Sequence, residues 1–235
     1  MTKAGADSLI ADIRIYWDRQ SDILKGSGMI VPFTERVVLG LRSLGYCFGP
    51  ATHLYVTPQA NSQGNDCITF KAGVEHWMLY ANIPVCENFG ELDFSSRDRI
   101  IFQAVRDALL KLTPDKFNEI NSVCDAAIID GSEIRFLVKS RTIRNIGIVA
   151  TINVADPGDK PIMRIEAFDK KTNVLLQQDE VALRHHTHAF KIVSNIKIVD
   201  DHIVLEPRIS FTAGIELRHY SLPMKFEATW MKGSH

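Results

Sequence analysis

Stretches in which apolar and polar residues alternate dominate the second half of the chain. Apolar side chains occupy every second position from Ile146 to Val154, from Phe190 to Ile198 with a polar exception at Ser194, and from Leu222 to Trp230. Successive side chains of a β-strand point to opposite faces, so this period predicts strands with one buried and one solvated face. The pattern therefore predicts an antiparallel sheet with one packed side.

The first half of the chain is mixed. Apolar residues spaced three and four apart predict four helices, and runs of aromatic and β-branched residues predict three short strands between the second and third helices. The predicted helices cover Ser8–Lys25, Thr34–Gly45, Ser95–Leu112 and Thr113–Cys124, and the predicted strands cover His53–Thr57, Cys67–Lys71 and Glu75–Ala81. Ser8 and Ser95 are the expected N-caps of the first and third helices. The first two helices are expected to pack as a pair.

The change from helical to strand periodicity lies near Asp130-Gly131, and from Glu133 onward six to eight strands follow one another between short turns. This arrangement is typical of the α+β class. We expect an α+β part over residues 1–130 and an antiparallel β-sheet or sandwich over residues 131–232. Whether the two parts are separate domains stays open. Residues 233–235 resemble the start of a purification tag.

Composition narrows the function classes. The 235 residues are 46% hydrophobic and 23% charged, with a formal net charge of −1. Nucleic-acid binders usually carry a basic footprint, so a nucleic-acid partner is not expected. The polar start from Met1 to Ser8 is unlike a signal peptide, and no apolar stretch reaches membrane-spanning length. The four cysteines form no CxxC pair. We therefore expect a cytoplasmic protein with free, mostly buried thiols, and a homo-oligomer is compatible with the sequence.

No catalytic or cofactor motif is present. The dipeptide Gly-Lys never occurs, which excludes a Walker A loop, and neither HExxH nor GxSxG is found. Gly26-Ser27-Gly28 lacks the third glycine of a dinucleotide-binding loop. The sequence therefore predicts no cofactor and leaves enzymatic activity unsupported by any motif.

Histidines cluster in the segment Arg184-His185-His186-Thr187-His188. In an extended chain His186 and His188 would face the same way, and two imidazoles at that spacing can share a metal ion, with Asp179, Glu180 or His202 as a further ligand. Exposed histidines in a strand connection are the commoner explanation, and a pH-dependent contact is a third. No metal is predicted, with a His186/His188 site as the alternative.

A second group of candidate binding residues is basic. Arg135, Lys139, Arg141 and Arg144 supply most of the positive charge of the C-terminal part. A solvated strand face explains such a run more simply than an anion site does.

These observations favour a non-catalytic cytoplasmic module that binds another protein through its sheet, of the kind found among inhibitors and immunity proteins. A broad sheet offers both a face and an edge to a partner. The alternative is a small metal-dependent hydrolase built on His186 and His188.

Overall fold

The computed structural model describes residues 8–16, 28–60 and 67–231. The chain divides into two compact units, Met1–Ile134 and Arg135–His235. Helices are concentrated in the first unit and strands in the second, which confirms the predicted α+β class. Within the described ranges, no helix combines the length and the apolar character that crossing a bilayer requires.

In its described residues, the first unit contains a four-stranded sheet and three α-helices. Its strands are β1 (Asp12–Ile15), β2 (His53–Ala60), β3 (Thr69–Ala72) and β4 (Met78–Val85), and its helices are α1 (Ile30–Ser43), α2 (Phe94–Leu112) and α3 (Phe117–Ile129). The strand order is β1-β2-β4-β3. β1 and β4 each pair with β2 in parallel, and β3 pairs with β4 antiparallel.

The core of this unit lies between one sheet face and the helices. Leu54, Val56 and Ala81 from the strands belong to the same buried cluster as Phe33 from α1 and Val105 from α2. Because strand residues alternate, the side chains between these positions, such as Tyr55 and Tyr80, point to the opposite face. The helices therefore cover one face of the sheet, and a different set of residues forms the other.

The helix predicted over Ser8–Lys25 is wrong over its described portion, because Asp12–Ile15 is strand β1. Backbone hydrogen bonds to β2 hold it in parallel register, with Ile13 opposite Leu54 and fully within the core. The predicted pairing of two helices fails with it, and the rest of that segment lies outside the described residues.

The remaining helix predictions need adjustment at their ends. α1 begins at Ile30, before the predicted Thr34. The N-cap of α2 is Asp93, not Ser95: the Asp93 carboxylate accepts the Ser96 N–H at 2.9 Å from an extended backbone. The fourth predicted helix begins as a short 3-10 turn at Pro114–Lys116 and continues as α3 to Ile129, beyond the predicted end at Cys124.

The second unit consists of two antiparallel sheets. Its elements are β5 (Phe136–Ile143), β6 (Ile146–Ile152), β7 (Ile162–Asp169), β8 (Leu175–Ala182), α4 (Ala189–Ile192), β9 (Asn195–Val199), β10 (His202–Glu206), α5 (Phe211–Leu217) and β11 (Met224–Glu227). One sheet has the order β5-β6-β7-β8 and the other has the order β11-β10-β9. The predicted alternation is confirmed in β6, where Ile148, Ala150 and Ile152 are buried.

Side chains link the edges of these two sheets. Arg141 of β5 donates from Nη1 to the carbonyl oxygen of Ile196 in β9 at 2.7 Å. Gln177 of β8 donates to the carbonyl oxygen of Glu227 in β11 at 2.8 Å and accepts the Thr229 N–H at 3.0 Å. We call these contacts the Arg141 seam and the Gln177 seam. Together they join the seven described strands of this unit into a ring.

Two predicted strands are partly wrong. In the stretch from Leu222 to Trp230 only Met224–Glu227 is a strand, and Trp230 lies in a 3-10 turn. Residues from Phe190 to Ile192 lie in the short helix α4, and only Asn195–Val199 forms a strand. The helix buries Ala189, Ile192 and Val193, which are three and four residues apart. Over such a short stretch the helical and strand periods bury some of the same positions, so alternation alone does not distinguish a helix from a strand.

The four cysteines have free thiols, as expected, but only Cys124 is buried. Cys67 and Cys86 are exposed and Cys47 is half-buried, so the expectation of mostly buried thiols is wrong. Burial raises the pKa of Cys124 to about 11, which keeps that thiol protonated and unreactive at neutral pH.

Candidate functional site

The histidine segment connects β8 to α4 and is not extended. His185 has an extended backbone, and His186–His188 then form a single 3-10 turn. The His185 ring caps this turn, because its Nδ1 accepts the Thr187 N–H at 3.3 Å and lies 2.8 Å from the Thr187 hydroxyl. The extended geometry behind the His186/His188 metal hypothesis is therefore not the one adopted.

The turn brings the three imidazoles together in a different way. The rings of His185 and His186 have centroids 4.5 Å apart, and those of His185 and His188 are 6.1 Å apart. His186 is buried, whereas His185 is exposed and His188 is half-buried. His185 is thus the central member of the cluster, and a metal at His186 and His188 stays a prediction.

His188 also belongs to a polar chain that sequence reasoning missed. Its Nδ1 lies 2.9 Å from the Tyr220 hydroxyl, which accepts the backbone N–H of Arg184 at 2.8 Å. Its Nε2 lies 4.0 Å from a carboxylate oxygen of Glu216, and that same oxygen is bonded by the Lys191 ammonium. Glu216 lies in α5 and Tyr220 follows that helix. Both are about 30 residues beyond the histidine segment, so no local motif could indicate them.

Electrostatics keep these histidines neutral. Burial, together with the neighbouring imidazoles of His185 and His188, lowers the pKa of His186 to about 4. Burial is also the main cause that lowers the pKa values of His185 and His188, with Glu216 acting in the opposite direction. The Lys191 hydrogen bond lowers the pKa of Glu216, so this carboxylate is ionised. At neutral pH the cluster therefore offers uncharged imidazoles beside one Lys–Glu ion pair.

The predicted basic residues have different environments, and their role as a binding site stays a prediction. Arg135 donates to the carbonyl oxygen of Ile162 at 2.8 Å, and Arg141 forms its seam. Lys139 is exposed on β5, and Arg144 lies in the turn between β5 and β6 with a φ of 55°. Two of the four residues therefore bond the unit's own backbone, which is a structural role.

A different candidate surface lies on the helix-free face of the first unit's sheet. In the strand register, Arg14 of β1 is opposite Tyr55 of β2, Tyr55 is opposite Tyr80 of β4, and Tyr80 is opposite Lys71 of β3. These four side chains form one row across all four strands. The row spans three strand spacings, about 14 Å in total.

Further aromatic residues flank this row. The Tyr55 ring lies 5.4 Å from that of Tyr16 and 5.1 Å from that of Tyr80, and the His53 ring lies 4.6 Å from that of Trp77. We call the whole surface the tyrosine face. Its members are Arg14, Tyr16, His53, Tyr55, Lys71, Trp77 and Tyr80.

Exposure varies across the tyrosine face. Tyr16 is 48% exposed and Lys71 is exposed, while Tyr55 is buried at the centre between two rings. Trp77 is half-buried against His53. The face thus has a packed aromatic centre and an accessible rim.

The charges of this face lie at its two sides. Arg14 donates from Nε to Asp12 at 2.5 Å, and its hydrogen bonds to Asp12 and Tyr16 raise the pKa of Arg14. Burial raises the pKa of Tyr55 and lowers that of His53, so both are neutral at pH 7. The result is an uncharged aromatic centre with the Arg14–Asp12 ion pair at one side and the Lys71 cation at the other.

Comparison of the chain with protein-family models, with curated proteins and with solved structures finds no match.

Proposed function

We propose that this protein is a non-catalytic protein-binding module that docks its partner on the tyrosine face. The observation that carries the proposal is the row Arg14–Tyr55–Tyr80–Lys71, in which each pair of neighbours is in register on adjacent strands. Tyrosine, tryptophan and arginine dominate the energetics of protein interfaces because they combine a large apolar area with a polar group. Here a sheet holds them rigidly, so little conformational entropy is lost on binding.

The charges of the row indicate the chemistry of the partner. Lys71 is a cation at one side, and Arg14, paired through Nε with Asp12, lies at the other, with neutral rings between them. This arrangement suits a protein segment that carries two carboxylates with apolar residues between them, one carboxylate pairing with Lys71 and the other sharing Arg14 with Asp12. An extended segment rises about 3.3 Å per residue, so carboxylates about four residues apart would reach Arg14 and Lys71 together. The partner we propose is therefore an acidic, extended segment of another protein.

The strand edges of the second unit offer less to a partner. The Arg141 and Gln177 seams occupy edge backbone groups of β9 and β11 that a docking strand would need. This supports a sheet face over those strand edges as the docking surface. If the partner is an enzyme or a toxin, the module would act as an inhibitor or an immunity protein, and its cytoplasmic location stays a prediction.

The experiment begins with photo-crosslinking in the native host. The photoreactive residue p-benzoylphenylalanine replaces Tyr16 on the face and, as a control, the similarly exposed Phe117 on α3. We expect one protein to be crosslinked from position 16 and not from position 117. Its binding to the unmodified protein is then measured by calorimetry.

Charge reversals test the role of the row. Arg14→Glu and Lys71→Glu should each weaken binding at least tenfold, whereas Lys116→Glu on the helical side should leave it unchanged. Equal crosslinking from both positions, capture of nucleic acid instead of protein, or unchanged affinity in both reversal variants would refute the proposal.

A metal-dependent hydrolase based on the histidine segment is the second candidate. It is supported by the ring nitrogens of His185 and His186, which lie within 4.8 Å of each other. Elemental analysis of tag-free protein tests it: about one zinc or iron per chain, lost in His186→Ala and His188→Ala, would favour the hydrolase. Metal-free protein with normal binding to its crosslinked partner would exclude it.

A further inference from the structure

A cavity of about 270 Å³ lies in the second unit, where two hairpin turns approach the residues that follow β11. Its apolar lining includes Ile143, Ile198, Trp230 and Met231. Three charged residues, which belong to the two turns, complete the lining: Arg144, Asp200 and Asp201. The cavity thus combines an aromatic and aliphatic surface with charges of both signs.

The charged residues occupy unusual backbone conformations. Arg144, Asp200 and Asp201 have φ values of 55°, 46° and 58°, in the left-handed region that favours glycine. The turn at Asp200-Asp201 is tied down, because the carbonyl oxygen of Asp201 accepts the Ala228 N–H at 2.7 Å. Three of the four non-glycine residues with positive φ in the described ranges therefore line one cavity.

The same three side chains have no partner within the part of the chain that the structure describes. Among residues 8–16, 28–60 and 67–231, neither the Arg144 guanidinium nor the Asp200 and Asp201 carboxylates make a hydrogen bond or an ion pair. The neighbouring Arg141, by contrast, is fully engaged in its seam. The cavity therefore offers one cation and two carboxylates that are exposed and make no such contact within the described residues.

From this combination we infer that the cavity is a binding site for a free α-amino acid with a large apolar side chain. The ligand's carboxylate would pair with Arg144, its ammonium with Asp200 or Asp201, and its side chain would pack against Ile143, Ile198 and Trp230. Both charges of the ligand are matched, and a cavity of this volume holds a small molecule rather than a peptide segment. This site is independent of the tyrosine face.

Calorimetric titration of the full chain with L-phenylalanine, L-leucine and L-methionine tests the inference. We expect at least one of the three to bind, with N-acetylation or methyl esterification of that amino acid weakening the affinity at least tenfold, because each removes one charge. Arg144→Gly should also weaken binding at least tenfold while keeping the fold, since glycine tolerates the positive φ. Lys160→Ala, an exposed lysine elsewhere in the unit, is the matched control.

Neutralising both aspartates tests whether the ligand's ammonium group pairs with them. In Asp200→Asn/Asp201→Asn, the N-acetylated ligand should bind as well as the free amino acid. Absence of binding by all three amino acids at millimolar concentration, or equal affinity for the free, acetylated and esterified forms in the unmodified protein, would overturn the inference. Unchanged affinity in Arg144→Gly would also overturn it.

Discussion

The two units stabilise their sheets in different ways. The first has one sheet, with helices over one face and the tyrosine face on the other, and its outermost strands β1 and β3 each pair with one neighbour. The second has two sheets whose outermost strands are joined by side chains. Stability in the first unit therefore comes mainly from apolar burial between sheet and helix, whereas the second adds polar contacts between strands.

The two units therefore differ in which surfaces are held by packing and which are open to a partner. Helix packing fixes the strand register of the first unit from one side, which leaves the other face open for docking. The seams of the second unit instead occupy backbone groups at its strand edges. The following changes, ordered by expected effect, test this contrast.

Val105→Asp should have the largest effect. Val105 is fully buried in α2, so the variant places an unpaired charge in the helix–sheet core and should lower the free energy of unfolding by about 4 kcal/mol or more. Phe226→Asp in β11 should cost only about 1–2 kcal/mol, because Phe226 is half-buried. Urea denaturation of both variants measures the two values, and equal losses would contradict the proposed contrast.

Acid should weaken the second unit through His186. Its pKa is about 4 in the folded protein, whereas an exposed histidine has a pKa of about 6.5, so the unfolded chain binds more protons between those pH values. Stability is therefore present above pH 6.5 and is lost as the pH falls toward 4, by at most about 3 kcal/mol. His186→Gln should flatten this pH profile and His76→Gln, in the first unit, should not. Hydrogen exchange in peptides from each unit gives the measurement.

Gln177→Ala should open one seam. It removes the bonds to Glu227 and Thr229 and should cost about 1.5 kcal/mol, with the loss of exchange protection confined to β8 and β11. The adjacent Gln178 is exposed, so Gln178→Ala should cost less than about 0.5 kcal/mol. Loss of protection throughout the unit in Gln177→Ala would show that the seam supports far more than two edges.

Tyr46→Phe should have the smallest effect. The buried Tyr46 hydroxyl lies 2.8 Å from Thr113 Oγ1. The Thr113 hydroxyl donates to the carbonyl oxygen of Leu109 and keeps that bond in the variant, so only one hydrogen bond is lost. The expected cost is about 1 kcal/mol, since the ring and its packing remain. Thermal melting checks it, and a cost comparable to that of Val105→Asp would mean that a polar network, not apolar burial, dominates the first unit.

The sequence predicted the elements that contain enough residues to show a period. The apolar stripe of α2 and the alternation of β6 were both visible, and both are confirmed. β1 was not, because it has four residues and owes its structure to hydrogen bonds with β2, about 40 residues away. α4 was missed for the same reason of length.

The candidate site depended on information that local patterns do not contain. His188 was identified, but its partners Tyr220 and Glu216 follow only from tertiary packing. Tyr55 and Tyr80 were visible as strand aromatics, yet their alignment with Arg14 requires the register of three strand pairs. Nothing in the spacing of these residues along the chain specifies that register.

The Gln177 seam has a consequence for the behaviour of the protein at high concentration. Unpaired strand edges recruit strands from other molecules, and the seam satisfies the edge carbonyl of Glu227 within the same chain. A variant that loses it would expose a template for intermolecular pairing, and so its yield on expression would fall by aggregation long before its fold failed.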